Sequence, residues 1–327
     1  MRWRPCIAFA SFSTNKNFSV PRLFLCFLCV TVFNGCAAPA VPSEGFTFAI
    51  IGDAPYKHRE EAPFERMLER IDREEVAITI HVGDIGAGRS TCTDAGYDKR
   101  FRQLDRSRHP LIYTPGDNEW VDCRSMGFDV LDRLARLREV FFADALSLGL
   151  TKITLDAERD IVAGCGAYPE NRSWTRSGIR FVTINVAGSS NNVGYDAASD
   201  AEARCRNAAN RRWVARAVEE SRGAGTRALV IAMQANPWFT RKRVFDDVLD
   251  TIERASRALG KPVLLVHGDT HNYQVDQPFA DATGATIANI TRVETYGSPI
   301  VGWVKVTVDP TGPRIFSFSP YIQAIVP

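Results

Sequence analysis

Short apolar runs alternate with amphipathic stretches along this chain from residue 46 onward. Phe46–Ile51, Val76–Val82, Leu111–Tyr113, Ile179–Val186, Ala228–Ala232 and Pro262–Val266 are apolar enough to read as buried strands. Between them, Glu60–Glu75 carries Phe64, Met67, Leu68 and Ile71 at helical spacing, and Val130–Phe142 carries Leu131, Leu134, Leu137 and Phe141. Helices are also expected over Tyr97–Arg106, over Trp213–Ser221 with a start near Asp200, and over Val244–Leu259. Such alternation predicts an α/β fold with a largely parallel sheet. The tail differs. Ile287–Tyr296, Val301–Val308 and Arg314–Phe318 read as consecutive strands of an antiparallel second sheet. Residues 187–200 form a polar stretch with little periodicity. A surface loop is expected there, with a substrate-facing role as the alternative.

Four of the apolar runs end in clusters that carry chemistry. They are Gly52-Asp53, Gly83-Asp84, Gly116-Asp117-Asn118-Glu119 and His267-Gly268-Asp269-Thr270-His271. Gly-Asp after a strand is common in turns, so one such cluster means little. Four in series mean more, because oxygen and imidazole groups at neighbouring strand ends can converge on one cation.

The 327 residues are 45% hydrophobic with a formal net charge of +2, which suits one large globular domain or two small ones. Basic residues are spread along the chain, so a nucleic-acid partner is not expected. Residues 1–40 read as a leader. Arg2, Arg4, Lys16 and Arg22 precede the apolar stretch Leu23–Phe33, whose 11 residues suit a signal-peptide core better than a membrane span. Ala38-Pro39-Ala40 offers a cleavage site, and Gly35-Cys36 offers a lipoprotein-type alternative with a membrane tether at Cys36. Export is the expectation in either case: periplasmic, secreted or lipid-anchored.

Eight cysteines are present, four of them in the leader. Cys92, Cys123, Cys165 and Cys205 remain, an even number that argues for disulfides in an exported chain. Cys92 and Cys123 follow the loops that hold Asp84 and Asp117. They are expected to pair if strands two and three place those loops side by side, leaving Cys165 with Cys205. A thiol metal site would want C-x-x-C spacing, which is absent.

The order and spacing of the four clusters resemble those of the calcineurin-like metallophosphoesterases, the two-metal hydrolases that include purple acid phosphatases. The resemblance implies a two-sheet sandwich flanked by helices over residues 46–327. It also implies one or two divalent cations and hydrolysis of a small phosphoester by metal-activated water. The family's motifs are D-x-H, G-D-x-x-D/N, G-N-H-E/D and G-H-x-H. Asp53 matches the first, but Pro55 stands in place of its histidine, with His58 nearby as a candidate substitute. Asp84 matches the bridging carboxylate of the second. In the third, Asp117 replaces the metal-binding Asn, and Asn118 replaces the catalytic His; a one-residue slip would make Asn118 the ligand. Before Pro237, Gln234 or Asn236 replaces another ligand His. Asp269 replaces the first His of the last motif, and His271 keeps the second. His267 is an additional imidazole and a candidate proton donor.

The replacements supply oxygen ligands, which favour Mg²⁺, Mn²⁺ or Ca²⁺, with Fe or Zn as the alternative. Glu119 is read as an acceptor behind the ligands. His81 reads as a packed core residue and His109 as a loop residue, while Trp120 and Trp238 suit either a pocket wall or the core. No G-x-S-x-G, Walker loop or G-x-G-x-x-G appears. The alternative function is a binding protein that keeps the fold and has lost turnover.

Overall fold

The structure, a computed structural model, describes residues 44–162, 165–223, 225–239 and 243–324. The leader, with its cleavage and lipidation signals, lies outside them. Among the described residues no helix is long and apolar enough to cross a membrane.

Two mixed sheets lie face to face. The first contains β1 (Phe46–Ile51), β2 (Thr79–His81), β3 (Leu111–Tyr113), β11 (Gly302–Val308) and β12 (Phe316–Ile322), in the order β12-β11-β1-β2-β3. The second contains β4 (Asp156–Val162), β5 (Gly166–Arg176), β6 (Ile179–Thr183), β7 (Ala228–Ala232), β8 (Val263–His267), β9 (Gln274–Asp276) and β10 (Ile290–Glu294), in the order β4-β5-β6-β7-β8-β10-β9. β1, β2 and β3 run parallel, as do β6, β7, β8 and β10. The tail strands divide between the sheets rather than forming one of their own. β10 lies parallel to β8, while β11 and β12 extend the first sheet antiparallel to β1.

The strands read as continuous apolar runs because both of their faces are covered. Phe48 and Ile50 of β1 point into the inter-sheet core with Ile80, Ile112, Phe181, Val230, Leu264 and Val306. Ala49 and Ile51, on the opposite face, pack under the helix His58–Arg73 against Phe64, Met67 and Ile71. On the second sheet, Leu229, Ile231, Val263 and Leu265 face Trp213, Val214 and Ile252 of the helices Ala197–Glu220 and Asp246–Leu259. Burying each such side chain contributes about 1.5–3 kcal/mol. The result is four layers, helix, sheet, sheet and helix, with parallel strands ending together where the site forms.

Both expected disulfides are present. Cys92–Cys123 has a Cα separation of 5.6 Å and Cys165–Cys205 one of 5.4 Å. The first ties the loops after β2 and β3, and both of its sulfurs lie against the Asn118 carbonyl.

Candidate metal centre

The ends of β1, β2 and β3 meet the ends of β7 and β8. Asp53 Oδ1 accepts from the Asp269 N–H at 3.0 Å, and Gly268 N–H donates to the Gln234 carbonyl at 3.0 Å. The turns are tight enough to require glycine. A Cβ on Gly116 would lie 2.0 Å from Asp84 Oδ1, and one on Gly268 would lie 2.0 Å from Asp53 Oδ2. Asp53, Asp84, Asp269 and His271 all adopt left-handed backbone angles, with φ of 51°, 57°, 81° and 64°. Such residues cost about 1–3 kcal/mol each and cluster at functional sites.

Asp53, Asp84 and His271 each offer a ligand atom within 4.8 Å of the others. His271 Nδ1 lies 2.6 Å from the Ser298 carbonyl, which can only accept, so the proton sits on Nδ1 and Nε2 is left for a ligand. Nε2 lies 3.9 Å from Asp53 Oδ1 and 3.3 Å from the Tyr56 hydroxyl. That hydroxyl donates to Asp84 Oδ2 at 2.6 Å, and Asn118 N–H donates to Asp84 Oδ1 at 3.1 Å. Asp117 and Asp269 adjoin this group: a Cβ on Gly188 would meet Asp117 Oδ1 at 2.7 Å and Asp269 Oδ1 at 2.8 Å.

The burial of these carboxylates fits a bound cation. Asp53, Asp84 and Glu119 are buried, as are most of Asp117 and Asp269. Burial pushes Asp53 and Asp84 well above the usual carboxylate range, and neighbouring carboxylates add to it. Burial raises Asp117 to about 6 and Asp269 to about 7, with Asp122 adding to the first and Asp117 to the second. Asp53 Oδ2 and Asp117 Oδ1 are buried without a partner. Among the described residues, the only ion-pair contact to these aspartates comes from His271. Buried carboxylates with no cationic side chain and spare lone pairs fit a hard divalent ion.

Three buried glutamates hold the loops from behind. Glu119 accepts from Asp84 N–H, Gly116 N–H and the Tyr113 hydroxyl at 3.1, 2.6 and 2.6 Å. Glu60 accepts from the backbone N–H of Tyr56 at 2.9 Å and from the Ser298 hydroxyl at 3.0 Å. Glu294 collects Asn236 Nδ2, the Thr270 hydroxyl, Asn272 N–H and Gln274 Nε2.

The other candidate residues make contacts of their own. Gln234 Oε1 accepts from Gly188 N–H at 2.6 Å. Asn118 turns its side-chain amide to the Gly86 carbonyl at 3.0 Å. His267 shares the parity of Val263 and Leu265 along β8, so it faces the helix layer. There its ring lies 6.2 Å from Trp238, and burial holds it down at about 3. His58 is exposed at the start of its helix and does not join the group. His81 is packed between Phe64 and Tyr113, Trp120 is core, and Trp238 is half-buried against Phe279.

The residues that sequence reasoning missed are Tyr56, Ser189, Glu60, Glu294 and Ser298. Residues 187–192 are also more than surface. The Ser189 hydroxyl donates to Asp117 Oδ2 at 2.6 Å from a left-handed turn spanning Ser189 to Asn192.

No protein-family model matches the sequence, and no curated protein matches it. Among solved structures, the chain is similar to a novel phosphatase from Mycoplasma pneumoniae, at 9% identity over 86% of this chain and 94% of that one, with a TM-score of 0.41. It is also similar to a single mutant of Vps29 from Entamoeba histolytica, at 11% identity over 84% and 98%, with a TM-score of 0.32. Vps29 from Chaetomium thermophilum gives 9% identity over 85% and 98%, with a TM-score of 0.30. Likeness at this level bears on neither substrate nor activity.

Proposed function

We propose that this chain is an exported, metal-dependent hydrolase of small phosphoesters. The observation that supports this reading is the grouping of Asp53, Asp84 and His271, with Asp117 and Asp269 adjoining at Gly188 and, among the described residues, no Lys or Arg in ion-pair contact with them. A divalent cation held by Asp53, Asp84 and His271 would neutralise phosphoryl charge and make a water acidic enough to attack. The protein's own part is to hold and orient. Ser298 fixes the tautomer of His271, Glu119 and Asn118 fix Asp84, and Asn236 N–H fixes Asp269 Oδ2 at 2.8 Å. Asp117 and Asp269 offer carboxylates for a second cation. The oxygen-rich set suits Mn²⁺, Mg²⁺ or Ca²⁺. The two disulfides support an oxidising compartment. With the leader signals, this supports the reading of a mature chain that resides in the periplasm, outside the cell or on a Cys36 lipid. No nucleic-acid partner is proposed.

One observation favours the alternative of a cation-binding protein without turnover. Neither Asn118 nor His267 presents a proton to the pocket. If neither residue acts as general acid, a role typically worth about 10²–10⁴-fold, poor leaving groups depart slowly. The test is hydrolysis of an aryl and an alkyl phosphate by metal-stripped protein after Mn²⁺ or Mg²⁺ is restored, with and without chelator. The hydrolase reading expects chelator-sensitive cleavage of the aryl ester and much slower cleavage of the alkyl ester. No turnover with any divalent ion would favour the binding protein.

A further inference from the structure

Four successive residues after β6, Ser189 to Asn192, hold left-handed backbone angles, with φ of 43°, 59°, 54° and 61°. Each costs about 1–3 kcal/mol and persists only where its surroundings over-determine it. Here they do. Buried Arg206 donates from Nη2 to the Asn191 carbonyl at 3.0 Å, and Arg124 donates from Nη2 to Asn192 Oδ1 at 3.1 Å. The Asn192 amide in turn donates to Glu202 at 3.0 Å. The turn presents the Ser189 hydroxyl to Asp117 at the candidate metal centre. Tyr195 follows it, and its hydroxyl donates to the Ser189 carbonyl at 3.2 Å.

Tyr195 is 47% exposed although its hydroxyl is pinned. The Arg124 guanidinium lies over its ring, 3.8 Å from the centroid. That guanidinium is itself held, by the Ser199 hydroxyl at 2.7 Å and by Asp196 at 3.9 Å. Among the described residues no second ring or guanidinium contacts Tyr195. We propose that Tyr195 is the platform on which the leaving group of an aryl phosphoester stacks, with Arg124 fixing the platform. The proposal rests on the hydrolase reading above and narrows its substrate class. Ser189 touches Tyr195 through its carbonyl and Asp117 through its hydroxyl, so one residue separates the ring from the candidate ligands. An aryl ester carries its ring directly on the ester oxygen, which suits so short a reach better than a base set off by a ribose. Stacked or edge-on aromatic pairs contribute about 0.5–1.5 kcal/mol beyond the area they bury.

The test is calorimetric titration of the Mn²⁺-loaded chain with phenylphosphonate and cyclohexylphosphonate. Both resist hydrolysis and carry rings of similar size, one flat and one puckered. The proposal expects phenylphosphonate to bind more tightly, on the order of 2–10-fold. The preference should survive in Tyr195→Phe, which keeps the ring and loses the hydroxyl, and vanish in Tyr195→Ser. Equal affinities in the parent chain, a comparison that depends on no variant folding, would overturn the proposal and leave the hydrolase reading standing. So would a preference that survives in Tyr195→Ser. Binding of neither compound would count against the phosphoester reading itself, and the platform would fall with it.

Discussion

The Tyr56 hydroxyl donates to Asp84 Oδ2 across 2.6 Å, bringing a phenol into a group of carboxylates and one imidazole. Burial, then Asp84 itself, pushes this phenol well above its ordinary pKa, which keeps it a donor in the cation-free chain. Tyr56→Phe removes the donor and keeps the ring on His271. Loss of such an orienting partner typically weakens metal affinity about 10–100-fold. Calorimetric titration with Mn²⁺ should show a weakening in that range, and an unchanged Kd would remove Tyr56 from the site.

Gly116 leaves no space for a side chain. A Cβ would lie 2.0 Å from Asp84 Oδ1 and 2.4 Å from the Asp84 nitrogen, so the backbone of the second motif must shift. Gly116→Ala should cost about 1–3 kcal/mol of stability, as overpacking does. It should also abolish measurable Mn²⁺ binding. A variant that melts and binds like the parent would contradict the crowded geometry.

Glu294 is an acceptor-only group facing four donors. In Glu294→Gln, an amide N–H₂ must confront some of them, leaving buried donors unsatisfied at about 1–3 kcal/mol. Denaturant unfolding should report a loss of that size. No loss would mean that the Asp269–His271 loop is held by other contacts.

The cation-free chain should become less stable as pH rises through the weakly acidic range. Burial raises Asp117 to about 6, and raises Asp269 and Glu119 to about 7. In the unfolded chain these groups titrate near about 3.9–4.3. Between those limits the folded chain binds more protons, so stability falls as pH increases from about 4 to about 7. Cation binding requires the ionised forms. The gain in melting temperature from Mn²⁺ should therefore grow across the same interval. A gain that is flat over this interval would contradict the raised pKa values.

What was legible in the chain was what local pattern encodes. Asp53, Asp84, Asp117 and Asp269 each follow an apolar run, and parallel strands bring such ends together whatever the intervening sequence. Tyr56 and Ser189 carry no local sign of their role, because their partners lie 28 and 72 residues away. β4 and β5 carry no apolar run because several of their buried positions are polar. Glu158, Glu170 and Asn171 are satisfied by Arg212, Arg138 and Asn210 rather than by apolar packing. The tail strands were found, but their division between two sheets depends on long-range pairing. His267 looked available beside the last motif, and only the alternation along β8 turns it toward the helix layer.

A cation held at Asp84 is central to the proposed function. The most direct measurement is metal content after equilibrium dialysis of the purified protein and of Asp84→Asn against Mn²⁺ at pH 7.5. At least one bound ion per parent chain is expected, and a large loss in the variant, with the fold kept. A parent chain that retains no cation, or a variant that retains as much as the parent, would contradict it.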